Sequence, residues 1–216
     1  MIDVLYHDNH LLAVNKPAGI LTQPSGTSQI NLEDLAKAWV KEHYNKPGAV
    51  FLHAVHRLDK PVSGVVLFAR TSKALSRLQE AMRDKNCKKI YEALVEGVLP
   101  EEKGTLEHSL LHDDFHATVT ADTHPEAKKS RLHYHVLKKE KGLSLLRIEL
   151  ETGRYHQIRA QLAASGCPIV GDQKYGSKRV LGPDQIALHH AELSITHPTK
   201  GELLIFKAPS TLSNIN

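Results

Sequence analysis

The chain has 216 residues, with 28 Lys and Arg against 24 Asp and Glu, a formal charge of +4, a pI near 9.0, and 41% apolar and 24% charged residues. This balance excludes a disordered chain and leaves room for one sizeable core or two fused half-domains. No apolar run reaches the roughly 18 residues of a membrane span, and Met1-Ile2-Asp3-Val4 opens no secretion signal, so a cytoplasmic protein is expected. Cys87 and Cys167 lack the spacing of a disulfide framework or a zinc knuckle and read as free thiols.

Along the chain, Val4-Leu5-Tyr6 and Leu11-Leu12-Ala13-Val14 flank the turn His7-Asp8-Asn9-His10 and predict a hairpin. Asn31 is placed to cap a helix through Leu32, Leu35, Ala36, Trp39 and Val40, ended by Asn45-Lys46-Pro47-Gly48. Val50, Phe51, Leu52 and Val55, and then Val65, Val66, Leu67, Phe68 and Ala69, read as buried strands. A second helix is expected from Ser72 as cap, with Leu75, Leu78 and Met82 on one face; Met82 and Trp39 read as core. From Lys88 the period becomes two, with Tyr91, Ala93 and Val95 on one face of a strand. Breaks at Pro100-Glu101-Glu102-Lys103-Gly104, Thr123-His124-Pro125 and Lys138-Lys139-Glu140-Lys141-Gly142 separate strands near 105–111, 129–137 and 143–151. A last helix is expected from Thr152 through Ile158, Arg159, Leu162 and Ala163 to Gly166, ahead of Pro168. Strands near 186–196 and 202–207 finish the chain. Runs of strands with few helices give an α+β fold with a mixed or mostly antiparallel sheet. No Gly-rich phosphate loop is present, which removes the commonest cofactors.

Two polar segments interrupt this frame. His56-Arg57-Leu58-Asp59-Lys60-Pro61-Val62-Ser63-Gly64 sits between apolar runs, so a rigid sheet presents Asp59 on a turn that Pro61 and Gly64 enforce. Thr152-Gly153-Arg154-Tyr155-His156-Gln157-Ile158-Arg159 is too polar to open an ordinary core helix and suits an anion. Taken alone, Asp59 reads as a turn cap or a structural partner of Arg57, and Arg159 as a surface cation on an amphipathic helix. Basic clusters at Lys85-Lys88-Lys89, Lys128-Lys129-Arg131, Lys138-Lys139-Lys141 and Lys174-Lys178-Arg179 suit a polyanion, although each by itself reads as solvated surface. Phosphate contacts from such clusters make affinity fall with salt, at a slope of roughly 0.7 to 0.9 per contact.

Together the two segments resemble the HRLD…SG and GR.HQIR motifs of RNA pseudouridine synthases of the Rlu type. Asn15-Lys16-Pro17-Ala18-Gly19, Lys89-Ile90-Tyr91, Pro168-Ile169-Val170-Gly171-Asp172, Tyr175-Gly176, Leu188-His189-His190-Ala191 and Phe206-Lys207-Ala208-Pro209 extend the resemblance over nearly the whole chain. It implies a single catalytic domain over 1–216, built of two half-sheets with the site in a cleft and no S4 RNA-binding domain. The implied partner is structured RNA, a tRNA or large-subunit rRNA stem-loop, acted on by a monomer without cofactor or metal. The family usually has threonine where this chain has Val62, which keeps the shape and loses a hydroxyl.

The resemblance assigns Asp59 as catalytic aspartate, Arg159 as its ion-pair partner and Tyr91 as the ring stacked on the target base. An adjacent guanidinium keeps a carboxylate ionised at neutral pH. Attack at C1′, attack at C6 and assisted elimination across C1′ and C2′ all stay open for Asp59. A phenol is a poor base unless perturbed, so stacking and proton transfer both stay open for Tyr91. Arg57 is implied to fill the gap left by a flipped base, and His56 to fix the loop. Arg154, at the expected helix N-terminus, is suited to phosphate, and Ile158 completes the substrate contacts. Fifteen histidines invite a metal reading, with His53/His56, His108/His112/His116, His133/His135 and His189/His190 at ligand-like spacing, but none lies in a zinc frame. A non-catalytic RNA-binding module of the same fold is the alternative.

Overall fold

The computed structural model describes residues 2–26 and 28–214; Met1, Thr27, Ile215 and Asn216 lie outside the described residues. The strands of the first part are β1 (Asp3–His7), β2 (Leu11–Lys16), β3 (His53–Ala54) and β4 (Ser63–Ala69), with helices α1 (Leu32–His43) and α2 (Ser72–Arg83). Next come β5 (Cys87–Glu96), β6 (Lys103–Asp113), β7 (His116–Thr120), β8 (Lys128–Glu140), β9 (Leu143–Leu150) and helix α3 (Gln157–Ala164). A 3-10 turn at Gln173–Tyr175, β10 (Leu188–Thr196), β11 (Leu203–Lys207) and a second 3-10 turn at Leu212–Asn214 follow. This is the expected α+β class, with mostly antiparallel pairing. The chain divides into two compact units, Met1–Lys88 with His190–Pro209 and Lys89–His189 with Ser210–Asn216.

In the first unit the strand order is β1-β2-β4-β10-β11, with β3 also paired to β4. β2 and β4 are unbroken apolar runs because both of their faces are buried, which a period-two pattern would not allow. Leu11, Ala13, Val65, Leu67, Ala69, Leu193 and Ile195 pack with Ala74 and Leu78 of α2. Each such leucine or isoleucine contributes about 1.5–3 kcal/mol on full burial.

Asn31 caps α1 as expected, its Oδ1 accepting the Asp34 N–H at 3.0 Å. Trp39, expected in the core, is half-buried and stacks on His43 at 4.5 Å, because Leu32, Ala36 and Val40 already form the buried stripe and Trp39 lies beside it. Leu35 is likewise exposed. α2 is capped by Thr71, not Ser72; the Thr71 hydroxyl accepts from the Ala74 N–H at 3.2 Å. Of Val50–Val55, His53 and Ala54 pair with β4 and the Val55 N–H donates to the Leu67 carbonyl at 2.8 Å, while Phe51, outside this pairing, is exposed.

Gly64 has a φ of +115°, and a Cβ there would lie 2.6 Å from the His190 backbone nitrogen and closer still to its carbonyl oxygen. Backbone cannot yield as a flexible side chain does. Gly64→Ala is therefore expected to cost about 3 kcal/mol or more. Urea unfolding checks this, and an unchanged midpoint would contradict the close approach.

The second unit is an antiparallel ladder in the order β5-β9-β8-β6-β7. Tyr91, Ala93 and Val95 share a face of β5, opposite Ile148, Leu146 and Ser144 of β9. β7 was not among the expected strands; it pairs His116 with Asp113 across the turn Asp114-Phe115. β8 runs on to Glu140, and the reversal falls on Lys141 and Gly142, whose φ values of 50° and 76° suit a tight hairpin. α3 begins at Gln157, five residues later than expected, because His156 adopts a left-handed φ of 49° that no helix can contain. Its C-terminal Gly166 is left-handed as foreseen, at φ 75°.

Candidate active site

The Asp59 loop is held at the residues on either side of the carboxylate. Thr22 Oγ1 donates to the Leu58 carbonyl at 2.8 Å and accepts the Leu58 N–H at 3.1 Å. One residue past Asp59, the Lys60 carbonyl accepts from the Gly19 N–H at 2.9 Å and from Lys16 Nζ at 3.2 Å. The turn closes with the Val62 N–H on the Asp59 carbonyl at 3.1 Å, and the Val62 side chain is buried. The backbone bond closes this turn without the hydroxyl that Val62 lacks. A loop fixed at three points presents its carboxylate in a defined place, which is the preorganisation that catalysis needs.

Lys16 is fully buried, and its ammonium spends its donors on the carbonyls of Pro17 at 3.0 Å, Ile20 at 2.8 Å and Lys60. Burial pushes its pKa down to about 8, while the Asp59 charge pulls the other way. His56 anchors the same loop: its Nε2 accepts the Leu67 N–H at 3.2 Å, and its ring meets His190 edge-on at 5.4 Å. Arg57 is exposed on this loop and Asp59 half-buried.

In the second unit Arg159 is buried and grips Asp172 side-on, Nε to Oδ2 at 2.6 Å and Nη2 to Oδ1 at 2.8 Å. Its Nη1 donates to His156 Nε2 at 2.9 Å, and its guanidinium carbon sits 4.9 Å from the Tyr175 ring centre. Tyr91 and Ile158 are buried. Arg154 is exposed and lies three residues ahead of α3, not on its first turn, because the left-handed His156 delays the helix to Gln157. Gln157 Oε1 accepts from the Arg154 N–H at 3.0 Å and from the Thr152 hydroxyl at 2.8 Å. Arg154 also lines a cavity of about 590 Å³ with Lys128, His112, Tyr155, Leu110 and Ala117, a size suited to a nucleotide. Among the described residues no three of His, Cys, Asp and Glu gather to hold a metal ion. Of the histidines at ligand-like spacing, His108 takes Gln161, His112 lies tilted against Tyr155 and His116 stacks on Tyr175.

Residues 10–164 match the family described as RNA pseudouridylate synthase. The chain belongs to that family. It is 37% identical over 211 residues to a Bacillus subtilis protein named uncharacterized RNA pseudouridine synthase YhcT, covering 96% of this chain and 68% of the relative. It is 35% identical over 213 residues to the dual-specificity RNA pseudouridine synthase RluA of Haemophilus influenzae, covering 97% and 93%. The fold matches that of human RNA pseudouridylate synthase domain containing 4 with a TM-score of 0.80 at 23% identity, over 96% of this chain and 88% of that one. The synthase is thus an isomerase acting on RNA. No helix among its described residues is long and apolar enough to cross a membrane.

Two residues that hold this synthase's polar segments, Thr22 on the Leu58 backbone and Asp172 on Arg159, escaped the sequence reading. Thr22 gave no signal, since a lone hydroxyl in an irregular segment has no periodicity. Asp172 stood in a motif segment without a role; the clue was that an arginine among the apolar positions of α3 requires a carboxylate somewhere.

Lys16 also makes stability depend on alkaline pH. Folded Lys16 holds its proton less tightly than an ordinary lysine, whose pKa is 10.5, so between about pH 8 and 10.5 the unfolded chain binds more protons. The contribution of this group to stability therefore rises with pH across that window. Urea unfolding of the parent and of Lys16→Met, at about pH 7.5 and pH 10, is expected to show a rise that the variant lacks. The same rise in both proteins would contradict it.

Proposed function

We propose that this synthase isomerises a uridine in a loop of structured RNA, a tRNA or large-subunit rRNA stem-loop, with Asp59 as its catalytic carboxylate. The observation that carries the reading is the threefold anchoring of the Asp59 turn in a chain of this family. In the reaction the N1–C1′ bond breaks, the uracil turns, C5 joins C1′, the C5 proton leaves and N1 gains one. Atoms and electrons balance without redox, so no cofactor is called for. Attack at C1′, attack at C6 and elimination across C1′ and C2′ each use an ionised carboxylate at the junction of sugar and base.

Arg159 is proposed as the catalytic guanidinium, and Tyr91 as the ring that stacks on the uracil. Arg159 serves Asp172 through Nε and Nη2 and His156 through Nη1, and a guanidinium carries a second N–H on each Nη. A stacked uridine is out of reach, so the base is flipped at a cost of about a few kcal/mol, and exposed Arg57 takes its place in the RNA stack. Loop uridines flip most cheaply. Arg154 and Lys128, around the 590 Å³ cavity, are suited to neighbouring phosphates, and Ile158 and His56 complete the substrate side. The reading includes a monomer working in the cytoplasm. The Haemophilus relative is named for dual specificity, which supports more than one RNA substrate.

Pseudouridine mapping in total RNA from cells with and without the protein tests this reading. A uridine modified only when the protein is present supports it; identical maps, with purified protein inactive on those RNAs, favour a pure binding module. Tyr91→Phe keeps the ring and is expected to bind RNA within about twofold of the parent, as stacking requires. A fall in its turnover of about 10²- to 10⁴-fold would assign proton transfer to the hydroxyl, and intact turnover would leave the tyrosine to stacking alone.

A further inference from the structure

A guanidinium has only donors, so the 2.9 Å contact of Arg159 Nη1 with His156 Nε2 requires a lone pair on that nitrogen. His156 must then carry its single proton on Nδ1, which faces Tyr175 Oη at 2.8 Å. The same oxygen accepts the Ala117 N–H at 2.9 Å. The phenol is thus an acceptor twice over, and its own hydrogen is not the one in the bond to His156. A protonated ring would set N–H against N–H at Arg159.

The surroundings agree with a neutral ring. Burial, with the positive charges of Arg159 and Lys174 and a contribution from His116, pushes the His156 pKa down to about 3, against the opposing pull of Asp172. Tyr155 stacks on the His156 ring at 3.9 Å with planes 18° apart, and His116 stacks on Tyr175 at 4.3 Å. The backbone of His156 is left-handed, a conformation a non-glycine residue keeps only where its surroundings enforce it. These rings and bonds leave the Arg159 fork no freedom to swivel about Asp172.

We propose that His156, neutral with its proton on Nδ1, acts with Tyr175 and Asp172 as positioning residues that mount the Arg159 guanidinium for the isomerisation. The inference rests on the proposed role of Arg159. It assigns His156 no proton transfer during the reaction; its work is to accept one N–H and hold one angle. Displacement of a positioned group by about 1 Å can lower a rate on the order of 10²-fold.

Two measurements test it. Long-range nitrogen–proton correlation spectra of histidine-labelled protein are expected to show His156 as the Nδ1–H tautomer, unchanged from about pH 5 to pH 8. An Nε2–H pattern, or protonation in that range, overturns the proposal. In kinetics with a responsive RNA, His156→Ala is expected to lower kcat about 10- to 100-fold with KM within about threefold of the parent, and His156→Gln, which can still accept from Nη1, to recover part of the loss. If the alanine variant does not fold, Tyr175→Phe, which removes only the hydroxyl, is expected to show the same split. An unchanged kcat in a folded variant overturns the proposal. A parent protein that makes no pseudouridine overturns the functional reading instead, while the spectra still decide how the ring is held.

Discussion

Asp59→Ala is expected to abolish pseudouridine formation, by on the order of 10⁴-fold or more, with RNA binding retained. The turn that carries Asp59 is held by bonds its side chain does not make: Thr22 to Leu58, Gly19 and Lys16 to Lys60, and Val62 to the Asp59 carbonyl. Truncation therefore removes the carboxylate and leaves the turn. Removing a negative charge that faces a polyanion does not weaken attraction to phosphate, so affinity stays equal or rises. The measurement is product formation and binding on the same RNA. Residual turnover within tenfold of the parent would remove Asp59 from the chemistry, and lost binding would make it a substrate contact.

The second large effect is on stability. Arg159 and Asp172 have side chains only 7% and 1% exposed, and form a bidentate pair. Asp172→Ala takes the bidentate carboxylate away from a guanidinium buried against His156, which is expected to cost about 3–5 kcal/mol. For a chain of this size that corresponds to a fall in Tm of roughly 10 °C. Arg159→Met combined with Asp172→Leu removes both charges together and is expected to recover much of the lost stability while remaining inactive. Thermal unfolding of both proteins decides the matter. A single variant as stable as the parent would show that the pair is not needed to neutralise a buried charge.

How much of this was legible beforehand depended on whether the signal was local. The runs Leu11–Val14 and Val65–Ala69 announced β2 and β4, Asn31 announced α1, and Gly166 announced the end of α3. The two polar segments stood out because polar residues among apolar runs have few structural uses. Errors came where two neighbours were equally fit for one task or where distant residues decided. Thr71 and Ser72 both carry a hydroxyl, and only the backbone chose between them. Thr152 to His156 had little but Gly153 against helix formation until the left-handed turn at His156, whose ring lies against those of Tyr155 and Tyr175. The roles of Thr22 and Asp172 depend on chain crossings that no spacing encodes, and Trp39 read as core by default from its helical spacing with Leu32, Leu35, Ala36 and Val40.

The unit that carries Asp59 is discontinuous: it consists of Met1–Lys88 and returns for His190–Pro209, where the His190 backbone lies against Gly64. During synthesis, at about 5–20 residues per second, the ribosome needs several seconds or more to make the stretch between them. Throughout that interval the β4 edge awaiting β10 is unfilled and the Asp59 turn lacks the strand beside its last glycine. A nascent chain therefore cannot complete this half of the molecule until its final segment has emerged, and premature termination anywhere before residue 190 leaves an aspartate-bearing fragment with an open strand edge, prone to association and prompt degradation.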